Sequence, residues 1–332
     1  MTLAMCCEIR FIKTDNHNEF SIFRVSRVGI ETSWKLICGK AEIILPRNIK
    51  AFEIYKVKEI FRRGDKVEIY LGYNGNLNHR FTGYIDQVSA DIPVTIKLED
   101  EMWKLKQIEV SFAHPNIKLK EFITKIIDSF PVDIDSDIML GAVRFNKVKF
   151  GEILNKLRDE SSLYSFIRNG KLTIYKAHSD VTQDIPVFDL ERNCSDNSLN
   201  YIRKEDRLVK IVGTTIQRVA KAIKNNEDQK KLKFEWGDKD AKETFNYTFG
   251  VTTLEDLQRE VKKMYNDRKR DGFDGKFTTL GLIPLQHGQK IKLQSSLYPD
   301  RNGIYYIDSI SETFSKEDGY KQEVELGQTA SK

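Results

Sequence analysis

The chain has 332 residues, 40% hydrophobic and 31% charged, a globular composition with material for about two domains. The 54 basic residues exceed the 49 acidic ones by a formal charge of only +5, a milder excess than a dedicated nucleic-acid binder carries. Cys6, Cys7, Cys38 and Cys194 match neither a zinc spacing nor a disulfide framework and read as reduced thiols, and no apolar run approaches the roughly 18 residues of a membrane helix.

The first thirteen residues, MTLAMCCEIRFIK, lack the apolar centre of a signal peptide, so no export signal of the standard kind is expected. Phe20 to Leu45 is short β text broken by Gly29 and Gly39 and closed by Pro46. Val67, Ile69, Leu71 and Tyr73 then alternate with Lys66, Glu68 and Tyr70, the period of a half-buried strand. Asn74-Gly75 supplies the residue pair that best tolerates positive φ in a tight hairpin. The return strand carries Phe81 and Ile85, with Gly83 as a bulge or close-packing point, and Val94, Ile96 and Leu98 make a third strand.

The period then changes. In LKEFITKIIDSF, Leu119, Phe122, Ile123, Ile126 and Ile127 share one helical face, and KFGEILNKLRDESS repeats the spacing with Phe150, Ile153, Leu154 and Leu157. LYSFIRNGKLTIYKA follows as strand, Asn169-Gly170 turn and strand. Strand text returns at RLVKIVGTTIQRV, and KNNEDQKKLKF reads as a solvated tip or loop. TTLEDLQREVKKMYNDRKRDG is a helix capped near Thr253 and Asp256, striped by Leu254, Leu257, Val261, Met264 and Tyr265, and ended by Gly272. Three strands close the chain, at Lys290–Leu293, Ile304–Ile310 and Tyr320–Leu326.

One phrase occurs twice. GDKVEIYLGYNGNLNHRFTGYIDQVS (64–89) and GQKIKLQSSLYPDRNGIYYIDSIS (288–311) both open with Gly-x-Lys and close on Tyr-Ile-Asp-x-aliphatic-Ser. Such order and spacing favour paralleled β units. The expected fold class is therefore α+β, mainly β: two similar antiparallel β-barrel-like domains at 1–114 and 186–332, an α/β insert at 115–185, and a helix inserted near 253–271.

Catalytic constellations are missing from the text. His17, His79, His114, His178 and His287 are scattered, and there is no phosphate loop, dinucleotide fingerprint or nucleophile elbow. Glu99–Asp100–Glu101 and Asp133–Asp135–Asp137 read as solvated turns and strand ends; the second lacks the glycine and distal glutamate of a calcium loop. No catalytic, cofactor or metal site is expected. The basic stretch 203–233 offers Arg203, Lys204, Lys210, Lys230, Lys231 and Lys233 as contacts for a partner or a polyanion, with only Phe234 and Trp236 nearby for base stacking. Its alternative reading is a charged face that discourages edge pairing.

Three ordered phrases resemble the hub proteins of phage tails, the late control gene D type of contractile tails and related injection machines. They are GDKVEIYLGYNG…RFTGYIDQVS with the EDEMWKLKQ helix, FNKVKFGEILNKLRDESSLYSFIRNGKLTIYKA, and PLQHGQKIKL…NGIYYIDSISETFSKEDGYKQEVEL, spanning about residues 20–327. The resemblance implies a non-enzymatic homotrimer whose two related barrels build a ring of near six-fold symmetry between tail tube and spike. It further implies neighbouring baseplate proteins, DNA and tape-measure protein only in transit, and neither membrane anchor nor small-molecule substrate. The expected location is the virion tail baseplate, after assembly in the host cytoplasm. Because the sequence ends at GQTASK, soon after the second β stretch, a hub without lysozyme domain or β-helical spike is expected. Two alternatives stand beside it: an OB-like barrel that binds nucleic acid, and an enzyme acting on cell-wall polysaccharide.

Overall fold

The computed structural model describes residues 3–15, 17–46, 60–89, 92–128, 130–134, 138–161, 163–176, 185–218, 229–249, 251 and 253–330. The first half contains strands β1 (Met5–Phe11), β2 (Phe20–Ile22), β3 (Arg27–Ser33), β4 (Lys40–Ile44), β5 (Lys66–Tyr73), β6 (Asn76–Val88) and β7 (Thr95–Asp100), then helix α1 (Met102–Leu105). A middle part follows: β8 (Glu109–Lys118), α2 (Leu119–Ile126), β9 (Val132–Ile134), β10 (Met139–Lys149), α3 (Phe150–Ser161), β11 (Leu163–Arg168) and β12 (Lys171–Lys176). The remainder holds β13 (Val187–Asp189), β14 (Cys194–Asn197), β15 (Asn200–Ile202), β16 (Val209–Arg218), β17 (Gln229–Gly237), β18 (Glu243–Thr248), α4 (Leu254–Arg268), β19 (Gly272–Asp274), β20 (Lys276–Leu280), β21 (Lys290–Gln294), β22 (Gly303–Ser315) and β23 (Gly319–Thr329).

The fold is mainly β and contains the same sheet twice. In the first half the strands lie in the order β3-β4-β7-β6-β5-β1; in the second, β14-β20-β23-β22-β21-β13. The registers agree as well. Lys66 faces Tyr84 as Lys290 faces Tyr306, Ile85 faces Leu98 as Ile307 faces Leu326, and Glu42 faces Lys97 as Lys276 faces Glu325. Gly64 and Gly288, which open the repeated phrase, both sit at positive φ (92° and 77°), where a side chain would strain the backbone. Each donates its N–H to the isoleucine of Tyr-Ile-Asp, Gly64 to Ile85 O and Gly288 to Ile307 O, both at 2.7 Å. One strand breaks the parallel: β1 is antiparallel to β5, whereas β13 is parallel to β21.

The two halves are joined edge to edge. β22 pairs with β3 from Ser309↔Ser33 to Ser315↔Arg27, which merges both into one thirteen-stranded sheet. Their apolar cores remain distinct. One gathers Ile9, Phe11, Ile43, Ile69, Leu71 and Ile96; the other Phe188, Phe277, Ile291, Leu293, Ile307 and Val324. Alternation supplies these residues, because every second side chain along each strand turns to the same face.

The middle part has its own core around Leu119, Phe122, Ile123, Phe150, Ile153 and Leu154, the stripe that the helical spacing predicts. Both Asn-Gly pairs make the expected turns, Asn74 and Gly75 at φ 52° and 82°, Asn169 and Gly170 at 50° and 68°.

Several local expectations change. The N-terminal segment forms β1, paired along its length with β5. The ribbon strands β8 and β10 precede and follow α2; among the described residues β8 pairs only with β10, and such an edge strand tolerates its Pro115. Residues 229–234 of the presumed loop belong to β17, and the rest of that loop, 224–228, lies outside the described residues. Gly83 is a close-packing point, since a Cβ would collide with the Glu99 carbonyl, and the bulge lies at Asp86, three residues further on. Gly272 does not end the long helix: Lys269 is its C-cap and Gly272 starts β19. That helix docks on the separate sheet β17-β16-β18, where Leu257 and Val261 bury against Ile211 and Phe249.

Candidate assembly surface

The two halves carry matching polar corners. The ladder of β6 on β7 slips between Ile85 and Gln87, and that of β22 on β23 slips between Ile307 and Ser309. The extra residue is the aspartate of Tyr-Ile-Asp in each case, and a bulge redirects its side chain. Asp86 accepts from Trp103 Nε1 at 3.0 Å and pairs with Arg63 Nη2 at 3.0 Å. The indole N–H and the guanidinium hold its carboxyl below the usual carboxylate range. Asp308 accepts from Trp34 Nε1 at 3.0 Å and pairs with Lys35 Nζ at 2.8 Å, while the Ser33 hydroxyl donates to its main-chain oxygen at 3.0 Å.

The source of the indole differs. Trp103 follows β7 within the same half, whereas Trp34 comes from the β3–β4 corner of the opposite half. The side chain of Asp308 is therefore covered, 12% exposed, while that of Asp86 is 35% exposed.

Below the β3–β22 joint lies a buried ion pair, Arg80 on β6 with Glu312 on β22, their side chains 4% and 6% exposed. Arg80 Nε lies 3.1 and 2.9 Å from the two carboxylate oxygens, and Arg80 Nη2 donates to Gln322 Oε1 at 3.1 Å. Tyr320 donates its hydroxyl to Glu312 at 2.8 Å, and Tyr73 donates to the Tyr320 carbonyl at 2.6 Å. Charges removed from water are tolerable only when every oxygen and N–H finds a partner, so this network fixes the angle between the halves. The middle part is tied down separately: Arg168 donates to the carbonyl of His287, and the Phe166 ring meets the His287 ring edge-on at 4.9 Å. His287 Nε2 is buried with no hydrogen-bond partner, and burial, then the charge of Arg168, pushes its pKa down to about 3.

The six basic residues proposed from the sequence fall in two places. Arg203 and Lys204 occupy an exposed corner after β15, where the Lys204 N–H donates to Asp271 at 2.7 Å. Lys210 on β16 and Lys233 on β17 converge on Glu235, each at 2.6 Å. Hydrogen bonds from Lys210 and Lys233, then their charges, hold the Glu235 carboxyl at about 2. Lys230 and Lys231 are ladder partners of Gln217 and Ile216; their side chains lie outside the described residues. The lysine pair sits on the face of this sheet opposite α4, along with Thr244 and Asn246, and Glu235 cancels part of its charge.

The acidic runs are structural where described. Asp100 is half-buried, accepts from the main-chain N–H groups of Gly39 at 2.6 Å and Met102 at 2.9 Å, and is raised to about 7 by desolvation of its carboxyl against those two bonds. Glu99 pairs with Lys106, and Asp133 accepts from Tyr175 at 2.6 Å; Asp135 and Asp137 lie outside the described residues. Among the described residues no three His, Cys, Asp or Glu side chains gather as metal ligands, and no helix is long and apolar enough to cross a membrane. A 510 Å³ cleft between the parts is lined by Trp34, Tyr164, Arg207, Phe245, Arg268 and Asp308 among others. Its Arg207 pairs with Asp274 at 3.0 Å.

Sequence reasoning missed the aspartate corners and the ion pair for different reasons. The aspartates were visible, repeated in both phrases. Arg80 and Glu312 stand 232 residues apart with no local pattern to join them.

The whole chain is similar to solved tail proteins. A tail protein from Neisseria meningitidis MC58 superposes with a TM-score of 0.66 at 13% identity, covering 98% of this chain and 97% of that one. The 43 kDa tail protein of prophage MuSo2 from Shewanella oneidensis gives 0.65 at 14% identity, with 98% of each chain covered. An E. coli component of the type VI secretion system, described as structurally similar to the T4 tail proteins gp27 and gp5, gives 0.54 at 11% identity over 92% and 74%. No family profile matches the chain, and no curated protein matches its sequence. The chain has the fold of phage tail proteins, as its resemblance to tail hubs implies.

Proposed function

We propose that this chain is the structural hub of a phage, prophage or phage-like tail. The halves 1–114 and 186–332 flank the insert 115–185, and three copies place six similar sheets around one axis. The ring joins a six-fold tail tube to a three-fold spike in the baseplate and leaves a passage for DNA and tape-measure protein. The chain is a mechanical part rather than an enzyme, and its partners are copies of itself and the neighbouring tube, spike and baseplate proteins.

One observation carries this reading: the same strand order and register occur twice in one chain. Duplication lets a three-fold assembly present a six-fold surface, because each polypeptide offers two nearly equivalent contacts per turn. The full-length superposition on tail proteins supports the same conclusion. Imaging of the native particle tests it. Three copies around the axis at the junction of tube and spike are expected; six copies, or a position off the axis, would overturn the reading.

A further inference from the structure

Both strands of the joint between the halves have a counterpart in the other half, yet among the described residues the joint forms only once. In that joint β3 lies along Ser309–Ser315 of β22, and the Ser33–Trp34–Lys35 corner seats on Asp308. The counterpart of Ser309 is Gln87: each is the first paired residue past the bulge, facing Glu325 and Lys97 respectively.

β3 also has a counterpart. Arg27↔Ile44, Val28↔Ile43 and Glu31↔Lys40 in the first half are matched by Asp196↔Thr278, Asn197↔Phe277 and Asn200↔Asp274 in the second. The run from β14 through β15 thus takes the place of β3. Counting on from Glu31 and Asn200, Ile202 stands for Ser33, and Arg203-Lys204 stands for Trp34-Lys35.

These counterpart surfaces are open. Among the described residues β14 pairs only with β20 and β15 only with β19. Ser195 to Ser198, Asn200, Arg203 and Lys204 are exposed. On β6, β5 covers residues up to Tyr84, so the edge at Gln87 that faces away from β7 has no partner strand among the described residues. Asp86 beside it keeps the exposure that Asp308 has lost to Trp34 and Lys35. Asp86, held by Trp103 and Arg63 of its own half, still leaves 35% of its side chain open to a further donor, and the exposed Arg203-Lys204 corner of another copy carries such donors.

We propose that a second copy of this chain lays its Cys194–Ile202 edge along Gln87–Ser89 of the first, with Ile202 opposite Gln87 and the Arg203-Lys204 corner over Asp86. The contact between copies then repeats the contact between halves. The inference rests on the ring reading above and gives that ring its interface. A head-to-tail contact of this kind closes after three copies when the internal and external joints each turn about 60°. The external joint is the shorter of the two. The β6–β7 hairpin turns at Ser89, whose N–H already bonds Thr95 O at 2.8 Å, whereas β22 runs on to Ser315.

Disulfide trapping tests the register, because partners across an antiparallel pair lie about 4.5–5.5 Å apart, within disulfide reach. Full-length Gln87→Cys and Ile202→Cys chains are mixed at high concentration, oxidised and read by non-reducing electrophoresis and peptide mass spectrometry. Gln87→Cys with Lys316→Cys is the control, and sedimentation of the parent chain records its oligomeric state. We expect the 87–202 disulfide at about five-fold or more over the control, and covalent trimers from the doubly substituted chain. Trimers in sedimentation without that disulfide overturn this contact and leave the ring standing. A monomeric chain without the disulfide overturns the contact and counts against the ring. If Ile202→Cys does not fold, Ser89→Cys with Asn200→Cys traps the equivalent of the Ser311↔Glu31 pair under the same criteria.

Discussion

Arg80 and Glu312 show how much one buried pair commits a fold to one geometry. Both side chains are enclosed, and Tyr320 and Gln322 complete their hydrogen bonds. Removing one partner leaves a charge without compensation, so Glu312→Leu should destabilise the chain by about 3–5 kcal/mol. The double variant Arg80→Leu with Glu312→Leu should recover most of that loss, and urea unfolding of the four-member cycle measures the coupling. A double variant as unstable as the single one would show that the network acts through shape rather than charge. His287 makes the opposite case, a polar atom enclosed without a partner. Its folded pKa of about 3 lies below its ordinary value near 6.5. The unfolded chain therefore takes up the proton first as the pH falls. Its contribution is complete above about pH 6.5 and lost toward pH 3, by at most ~1.4 kcal/mol per pH unit. Asp100, raised to about 7, acts in the opposite sense over part of that window, so the variant must be compared with its parent at each pH. His287→Phe keeps the ring against Phe166 and removes the proton site. Its urea midpoint should fall less between pH 8 and pH 4 than that of the parent.

At the scale of elements, α4 explains why a glycine stands in the middle of a central strand. A Cβ at Gly213 would collide with Val261 Cγ2 and press on Leu257, so the helix could not approach β16 as closely. Thr253 caps the helix by accepting from the Asp256 N–H at 3.1 Å, and Lys269 at its other end pairs with Asp238. Overpacking of this kind costs about 1–3 kcal/mol. Gly213→Ala should therefore lower stability by roughly that amount and open α4 to proteolysis. Adding Val261→Ala should relieve part of the loss, because the deleted methyl groups are those the new Cβ meets. Simple addition of the two losses would locate the strain elsewhere.

Across the whole molecule the question is what a conduit must avoid. Each phosphate neutralised by a lysine or arginine adds affinity through counterion release, and strong retention would slow passage. Glu235 offsets Lys210 and Lys233, and its low pKa keeps that clamp charged at any pH of biological interest. We expect the purified chain to leave immobilised DNA below about 0.15 M salt, and Glu235→Gln to bind more tightly with a steeper salt dependence. Firm retention of the parent chain under those conditions would instead favour a nucleic-acid-binding barrel.

Much of this was written locally. Alternating Val67, Ile69 and Leu71 set a strand, Asn74-Gly75 and Asn169-Gly170 set hairpins, and the stripe from Leu119 to Ile127 set a helix, because each depends on neighbours within a turn or a pleat. The repeat of Gly-x-Lys and Tyr-Ile-Asp likewise announced two related halves, since equal backbone demands at Gly64 and Gly288 select the same residue. Only the tertiary structure decided that β3, besides pairing with β4, pairs with β22 of the other half, that Arg80 finds Glu312, and that Trp34 covers Asp308 while Asp86 stays the more exposed of the two aspartates. Those partners are hundreds of residues apart in the chain, and no periodicity records a contact made when two distant edges meet.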